Sequence, residues 1–288
     1  MNSKNIAKSL KRKIDDWCAS IDDDEIVKQI KENAIITGGA LVSMLNNEYP
    51  NDYDIYFKTH ESCLEVASYY AKRWNEMHPE SAHVKIQSDS DTDRITAFIS
   101  SIGIADEDAI DDESEPESQY LEEKQTENKQ RYRPRYFSTN AIALSDKIQL
   151  VIRFYGSVDE IHENYDFVHC TCSYDYKENK VNLPVKALEA IINKELFYVG
   201  SKYPLCSIIR TRKFIKRGWS INAGQYLKMC LQLNEFNLKD IATLRDQTTG
   251  VDSMYFNQVL AELQKKQDED SNFKIDNSYL FEIIDRIF

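Results

Sequence analysis

Gly38-Gly39 and, thirteen residues after the second glycine, Asp52-x-Asp54 are the residues whose types and spacing suit chemistry. The glycine pair follows a short β-type run, Ala34 to Thr37, and opens a helical stretch; the next β-type run, ending at Phe57, carries the two aspartates. Lacking a Cβ, glycine lets the backbone turn sharply and lets N–H groups at a helix start approach an anion closely. Asp52 and Asp54 are two positions apart, so on a strand they project from one face and could hold one or two divalent cations. Hard oxygen ligands favour Mg²⁺ or Mn²⁺, ions that clamp a nucleoside triphosphate and stabilise the attacking and leaving oxygens of an in-line displacement. Taken singly, a Gly-Gly pair is a loop signal and a D-x-D is ordinary solvated charge. Taken in this order they point to nucleotidyl transfer.

The arrangement resembles the nucleotidyltransferase superfamily, in particular the head domain shared by polynucleotide adenylyltransferases and tRNA CCA-adding enzymes, whose pattern is a Gly-Gly helix start followed by a D-x-D strand. The resemblance implies an α+β fold: a nucleotidyltransferase-type mixed β-sheet head with flanking helices, over 1–183, followed by a helical neck and C-terminal helical domain over 184–288. It implies that Asp52 and Asp54 are catalytic and hold the metal, and that Gly38, Gly39 and nearby Ser43 receive the triphosphate. A third carboxylate normally comes from a later strand, and the matching position falls near Gln149. An amide ligates a metal but accepts no proton at neutral pH, a departure that weighs against efficient catalysis.

Asn164 to Asp175 resembles the family's RDFTINALAYD element, with Asp166-Phe167 at its Asp-Phe and Tyr174-Asp175 at its end, although Tyr165 stands where arginine is usual. Asp166 is therefore the alternative third acid, or a group orienting the nucleotide sugar, or simply a strand-edge aspartate. Between Leu196 and Asn234 there is no acid, while Lys202, Arg210, Arg212, Lys213, Lys216, Arg217 and Lys228 are basic. Helical spacing puts Arg210, Lys213 and Arg217 on one face, suited to a triphosphate or an RNA backbone, or to a solvated helix that balances acidic charge elsewhere. The same stretch resembles the family's RILRAARF neck, with Arg210 and Phe214 at matching places. The CCA-adding template motif E-D-x-x-R would fall on Tyr203 to Ser207 and is absent; the arginine-aspartate pair after the glycines is Val42-Ser43 here. A CCA-adding enzyme is thus not expected. The chain is also similar to nucleotidyltransferase-like proteins of bacteriophages.

Several elements must position these residues. Residues 5–18 and 22–32 read as helices, the second opening in the acidic turn Asp22 to Glu25, which suits a helix N-terminus. Thr59 is the expected N-cap of a helix running to about Met77. His83 to Gln87 and Arg94 to Ser100 alternate as strands, Tyr136 to Leu144 and Lys147 to Phe154 as an adjacent strand pair, and Ser157 starts a short helix. Val168, Cys170 and Cys172 alternate as on one strand face. Residues 105–130 read as a disordered acidic loop: eleven acids against one base lie between Asp106 and Glu127. From Val185 onward the pattern is helical, with segments at 222–236, 238–247, 252–266 and 276–288.

The six cysteines are scattered through a chain too large to need stapling and read as reduced thiols, Cys170 and Cys172 as small hydrophobes rather than zinc ligands beside His169. A formal net charge of −12 argues against a protein that coats nucleic acid wholesale. No run approaches the roughly 20 apolar residues of a membrane span, and the polar N-terminus lacks a secretion signal's apolar core, so we expect no membrane partner and a location in the cytoplasm, or in host cytoplasm or virion for a phage protein. Two functions follow. The first is a metal-dependent enzyme moving a nucleoside monophosphate from an NTP to an RNA 3′ end or a protein hydroxyl. The second is a catalytically weak or inactive relative that keeps the fold as a binding or structural module, for example in a phage particle.

Overall fold

A computed structural model describes residues 1–80, 83–89, 94–98, 104–105 and 131–247, together with 263–266, 268, 278, 281–282 and 285. Its described residues form an α+β fold. The helices start where side chains can satisfy first-turn amides. Helix α1 (Ser3–Cys18) is capped by Asn2, which accepts from the Asn5 amide. Helix α2 (Asp24–Asn33) is capped by Asp23, and α4 (His60–Met77) by Thr59. Helix α5 (Val158–His162) carries a full capping box in which Ser157 and Glu160 satisfy each other's amides.

The first compact unit comprises residues 1–164 and 169–191. Its described residues form an eight-stranded mixed sheet, in the order β10-β9-β1-β2-β8-β7-β6-β5. In chain order these strands are β1 (Ala34–Thr37), β2 (Tyr53–Phe57), β5 (Ile104–Ala105), β6 (Pro134–Phe137), β7 (Ala141–Leu144), β8 (Ile148–Val151), β9 (Ser173–Asp175) and β10 (Lys180–Asn182). Strands β2 and β8 run parallel and the other neighbours antiparallel. All four residues of β1 are buried, as a central strand covered on both faces requires. The apolar stripe of α1 (Ile6, Leu10, Ile14, Trp17) and that of α4 (Cys63, Val66, Ala67, Tyr70, Trp74) are buried, and the Trp17 indole donates to the Tyr70 hydroxyl at 2.6 Å. Among the described residues, strands β3 (Lys85–Asp89) and β4 (Arg94–Phe98) pair with each other as a separate two-stranded sheet.

Two expectations are corrected. Tyr136 to Leu144 is two strands, not one, because the Ser138 hydroxyl accepts the Asn140 and Ala141 amides and turns the chain back on itself. Val168–Thr171 is a 3₁₀ helix rather than a strand. The carbonyls of Cys170 and Cys172 are taken by the β1 end, as described below, so they are not available to a strand ladder. The acidic tract after Ala105 lies outside the described residues, as does most of the span expected to hold the last two helices.

The second compact unit comprises Tyr165–Val168 and Ile192–Phe288. Its described helices are α7 (Pro204–Lys216), α8 (Ala223–Leu233) and α9 (Ile241–Gln247), preceded in the chain by α6 (Val185–Asn193). Within it Phe167 packs edge-on against Tyr198 and Phe214, and the Gln232 side chain accepts the Ser201 amide while donating to the Ser201 carbonyl. Among the described residues no helix is long and apolar enough to cross a membrane.

A half-buried lysine ties α1 to the sheet. Lys13 donates to the Asp146 carbonyl and lies over the Tyr53 and Tyr132 rings at 5.0 and 4.9 Å. Burial pushes its ammonium down from 10.5 to about 8, an effect that the Asp146 carboxylate opposes. The folded state therefore sheds this proton before the unfolded chain does, so stability gains from Lys13 as pH rises from 8 to 10.5. Urea denaturation at intervals across that window should show wild type gaining on Lys13→Met; a constant difference would contradict the burial.

Candidate functional site at one end of the sheet

The register of the central strands brings the glycines and aspartates to one end of the sheet. Strand β1 is antiparallel to β2, Ile36 facing Ile55, so the end of β1 and the start of β2 coincide. Strand β8 enters parallel to β2, and Gln149 pairs with Asp54. Strand β9 places Ser173 opposite Thr37. Gly38, Asp54, Gln149 and residues 169–171, which lead into β9, thus belong to the same end, all within the first unit.

Gly38 makes the turn from β1 into α3 (Gly39–Leu45) at φ 88°, ψ −141°, a conformation from which a Cβ is sterically barred. Its amide donates to the Cys170 carbonyl at 3.2 Å. The remaining first-turn amides of α3 have no acceptor inside the helix. Gly39 is exposed, and a Cβ built on it would lie 3.9 Å from Asp52 Oδ1, which places the Asp52 carboxylate directly against the turn. Ser43 lies one helical turn further along α3 and is half-exposed.

Asp52 immediately precedes β2 and Asp54 is its second residue; both are half-exposed. Strand alternation sends Tyr53 to the opposite face, under the Lys13 ammonium. The approach to Asp52 is fixed by the three-residue turn between β7 and β8, in which Asp146 and Lys147 adopt φ of 61° and 65°. The Lys147 carbonyl accepts the Tyr53 amide at 2.8 Å, and Lys147 Nζ donates to the Pro50 carbonyl at 3.4 Å. Neither turn residue carried a signal at the level of the sequence, because its partner lies about a hundred positions away.

Asp52 and Asp54 are half-exposed carboxylates, hard oxygen donors of the kind that could hold Mg²⁺ or Mn²⁺. Among the described residues no group of three His, Cys, Asp or Glu side chains is placed to hold a metal ion. Gln149 is buried at the position where a third carboxylate was expected from the resemblance. His169 Nε2 lies 3.3 Å from Cys170 Sγ, while burial pushes the Cys172 thiol up to about 12 and keeps it protonated.

Asp166, Arg210, Lys213 and Arg217 belong to the second unit. Asp166 is buried, and Arg210 Nη1 donates to its Oδ2 at 2.9 Å. Lys213 and Lys216 occupy the last turn of α7, where cations complement the helix dipole, and Arg217 is the exposed C-cap rather than a helical residue.

The family described as Gabija anti-defense 2 family protein matches residues 8–194. A curated relative from Bacillus phage SPbetaL7, named Gabija anti-defense 2, is 22% identical over 254 residues, which is 87% of this chain and 49% of the relative. The chain thus spans about half the length of that relative. Among solved structures it is similar to the Thermotoga maritima CCA-adding enzyme complexed with tRNA (12% identity, TM-score 0.39, 74% of this chain and 43% of that one). It is also similar to a tRNA-processing enzyme with CTP (12% identity, TM-score 0.40, 83% and 56%).

Two substitutions separate the glycines. Gly38→Ala should lower stability by about 1–3 kcal/mol through backbone strain, whereas Gly39→Ala should leave the melting temperature nearly unchanged, since its Cβ makes only ordinary contact. Equal melting shifts would refute the turn geometry. In the second unit, Arg210→Ala leaves the Asp166 carboxylate buried without its cation and should cost about 1–3 kcal/mol by denaturant titration. A smaller loss is expected for Arg210→Ala in an Asp166→Asn background; an equal loss there would show that the ion pair is not what Arg210 contributes.

Proposed function

We propose that this chain, which belongs to the Gabija anti-defense 2 family, counters the defence named in that family's description and does so with a metal-dependent nucleotidyltransferase site. The observation that carries this reading is the convergence of the glycine turn and the D-x-D strand, with Asp52 Oδ1 against the Cβ position of Gly39. Substrates would be an NTP and an acceptor hydroxyl on an RNA 3′ end or a protein side chain. The acceptor oxygen bonds to the α-phosphorus as the bond to pyrophosphate breaks; pyrophosphate leaves with the electron pair, and the acceptor proton passes to a base. Asp52 and Asp54 would hold Mg²⁺ or Mn²⁺, which supplies charge neutralisation at the phosphates when bound. Gly39 leaves room beside Asp52, and Ser43 lies along the same helix. Within the second unit, Lys213 and Arg217 would be partners for the phosphates of an RNA backbone, while Arg210 and Asp166 pair with each other.

A specific observation favours a second reading. Gln149, the register partner of Asp54, is an amide that accepts no proton at neutral pH. With that position neutral, the same end of the sheet would serve to bind a nucleotide or a partner without turnover.

Incubation with each labelled NTP and Mg²⁺ or Mn²⁺, with and without RNA, separates the two. Transfer of label to RNA or protein should fall at least about 100-fold in Asp52→Asn and Asp54→Asn, since even residues behind a metal's ligands change activity by 10–100-fold. The same variants should lose protection of a phage plated on cells carrying the defence. Absence of both transfer and metal-dependent NTP binding would end the nucleotide reading, and full protection by both variants would favour the binding module.

A further inference from the structure

Thr37, the last residue of β1, is fully buried and polar, and it immediately precedes the Gly38 turn. Its hydroxyl lies 2.9 Å from the Cys172 carbonyl, 3.3 Å from the Cys170 carbonyl and 2.8 Å from His162 Nε2. A hydroxyl has one proton, and a carbonyl only accepts, so the Thr37 proton goes to the carbonyls, the nearer being that of Cys172. The contact with His162 must then run the other way: Nε2–H donates to Thr37 Oγ1. Burial lowers the His162 pKa, against the opposing charge of Asp159, and so favours the neutral ring.

The imidazole reaches this place through a rigid route. Helix α5 is fixed at its start by the Ser157–Glu160 capping box, and the Gly156 amide just before it donates to the Phe57 carbonyl at the far end of β2. His162 is the last residue of α5, so the helix spans from the end of β2 to the end of β1. There the Cys170 carbonyl accepts the Gly38 amide as well as lying within reach of Thr37.

We propose that His162 is a positioning residue for the Asp52 site: by donating to Thr37 it fixes the Thr37 hydroxyl on the 170–172 carbonyls and so holds the Gly38-Gly39 turn against Asp52. The consequence for nucleotide binding rests on the reading of that turn and Asp52 given above; the holding of the turn does not.

Four variants of the full chain test it: His162→Leu, His162→Gln, Thr37→Val and the Leu/Val double variant. Two readouts are taken on each, the hydrogen-exchange rate of the Gly38 amide and the Kd for ATP with Mg²⁺. His162→Leu should speed Gly38 exchange about tenfold and weaken ATP binding about five- to tenfold, the scale of one lost hydrogen bond. Glutamine, whose Nε2–H can replace the imidazole donor, should restore both to within about twofold. Thr37→Val should match His162→Leu, and the double variant should be no worse than either, because both remove one linkage. Unchanged Gly38 exchange in His162→Leu, or fully additive effects in the double variant, would overturn the proposal. Wild type that binds no ATP while Gly38 exchange still responds to His162→Leu would reject the nucleotide reading and leave the turn-holding role standing.

Discussion

The turn at Gly38 is the constraint on which the rest of this end of the protein depends. A central strand with every residue buried must stop, reverse into a helix and leave space at the surface, all within one residue. Only a backbone at φ 88° achieves this, and only glycine accepts it without strain. The turn is then held from outside itself. Its amide is taken by the Cys170 carbonyl and the preceding Thr37 hydroxyl by the 170–172 carbonyls and His162, so the corner is held by hydrogen bonds from two other segments. Buried polar groups satisfied in this way rigidify rather than destabilise.

The aspartates are positioned by a second, separate set of contacts. Tyr53, between them, is anchored by its amide to Lys147 and by its ring to the Lys13 ammonium on the opposite sheet face. Lys13 also donates to Asp146, so one cation bridges α1, β2 and the β7–β8 turn. The arrangement leaves the Asp52 and Asp54 carboxylates on one face while Tyr53 and Lys13 meet on the other. Such a division of labour along three consecutive residues is what a strand's two-residue period makes possible.

The second unit shows the same economy of charge. Its longest basic helix carries Arg210, whose guanidinium is given to buried Asp166, and lysines in the last turn, where the helix dipole favours them. Surface charge in this segment therefore already has structural roles, and the proposed contact with phosphates would use it in addition.

The sequence by itself determined what depends on neighbours a few residues away. The caps at Thr59 and Ser157, the glycine requirement before α3, the D-x-D strand and the α+β class were all legible, because capping, φ preference and hydrophobic period are short-range effects. The tertiary structure alone decided which distant groups meet. A 3₁₀ helix at Val168–Thr171 stands in place of an apparent strand, its Cys170 carbonyl bonded by Thr37 and Gly38, and the Ser138 turn split an apparently continuous strand. Likewise the pairing of Gln149 with Asp54, of Arg210 with Asp166, and of His162 with Thr37 across 125 positions follows from sheet order and helix course. No local pattern encodes those partners, since hydrogen bonds between remote residues are fixed only once the backbone topology has brought their elements together.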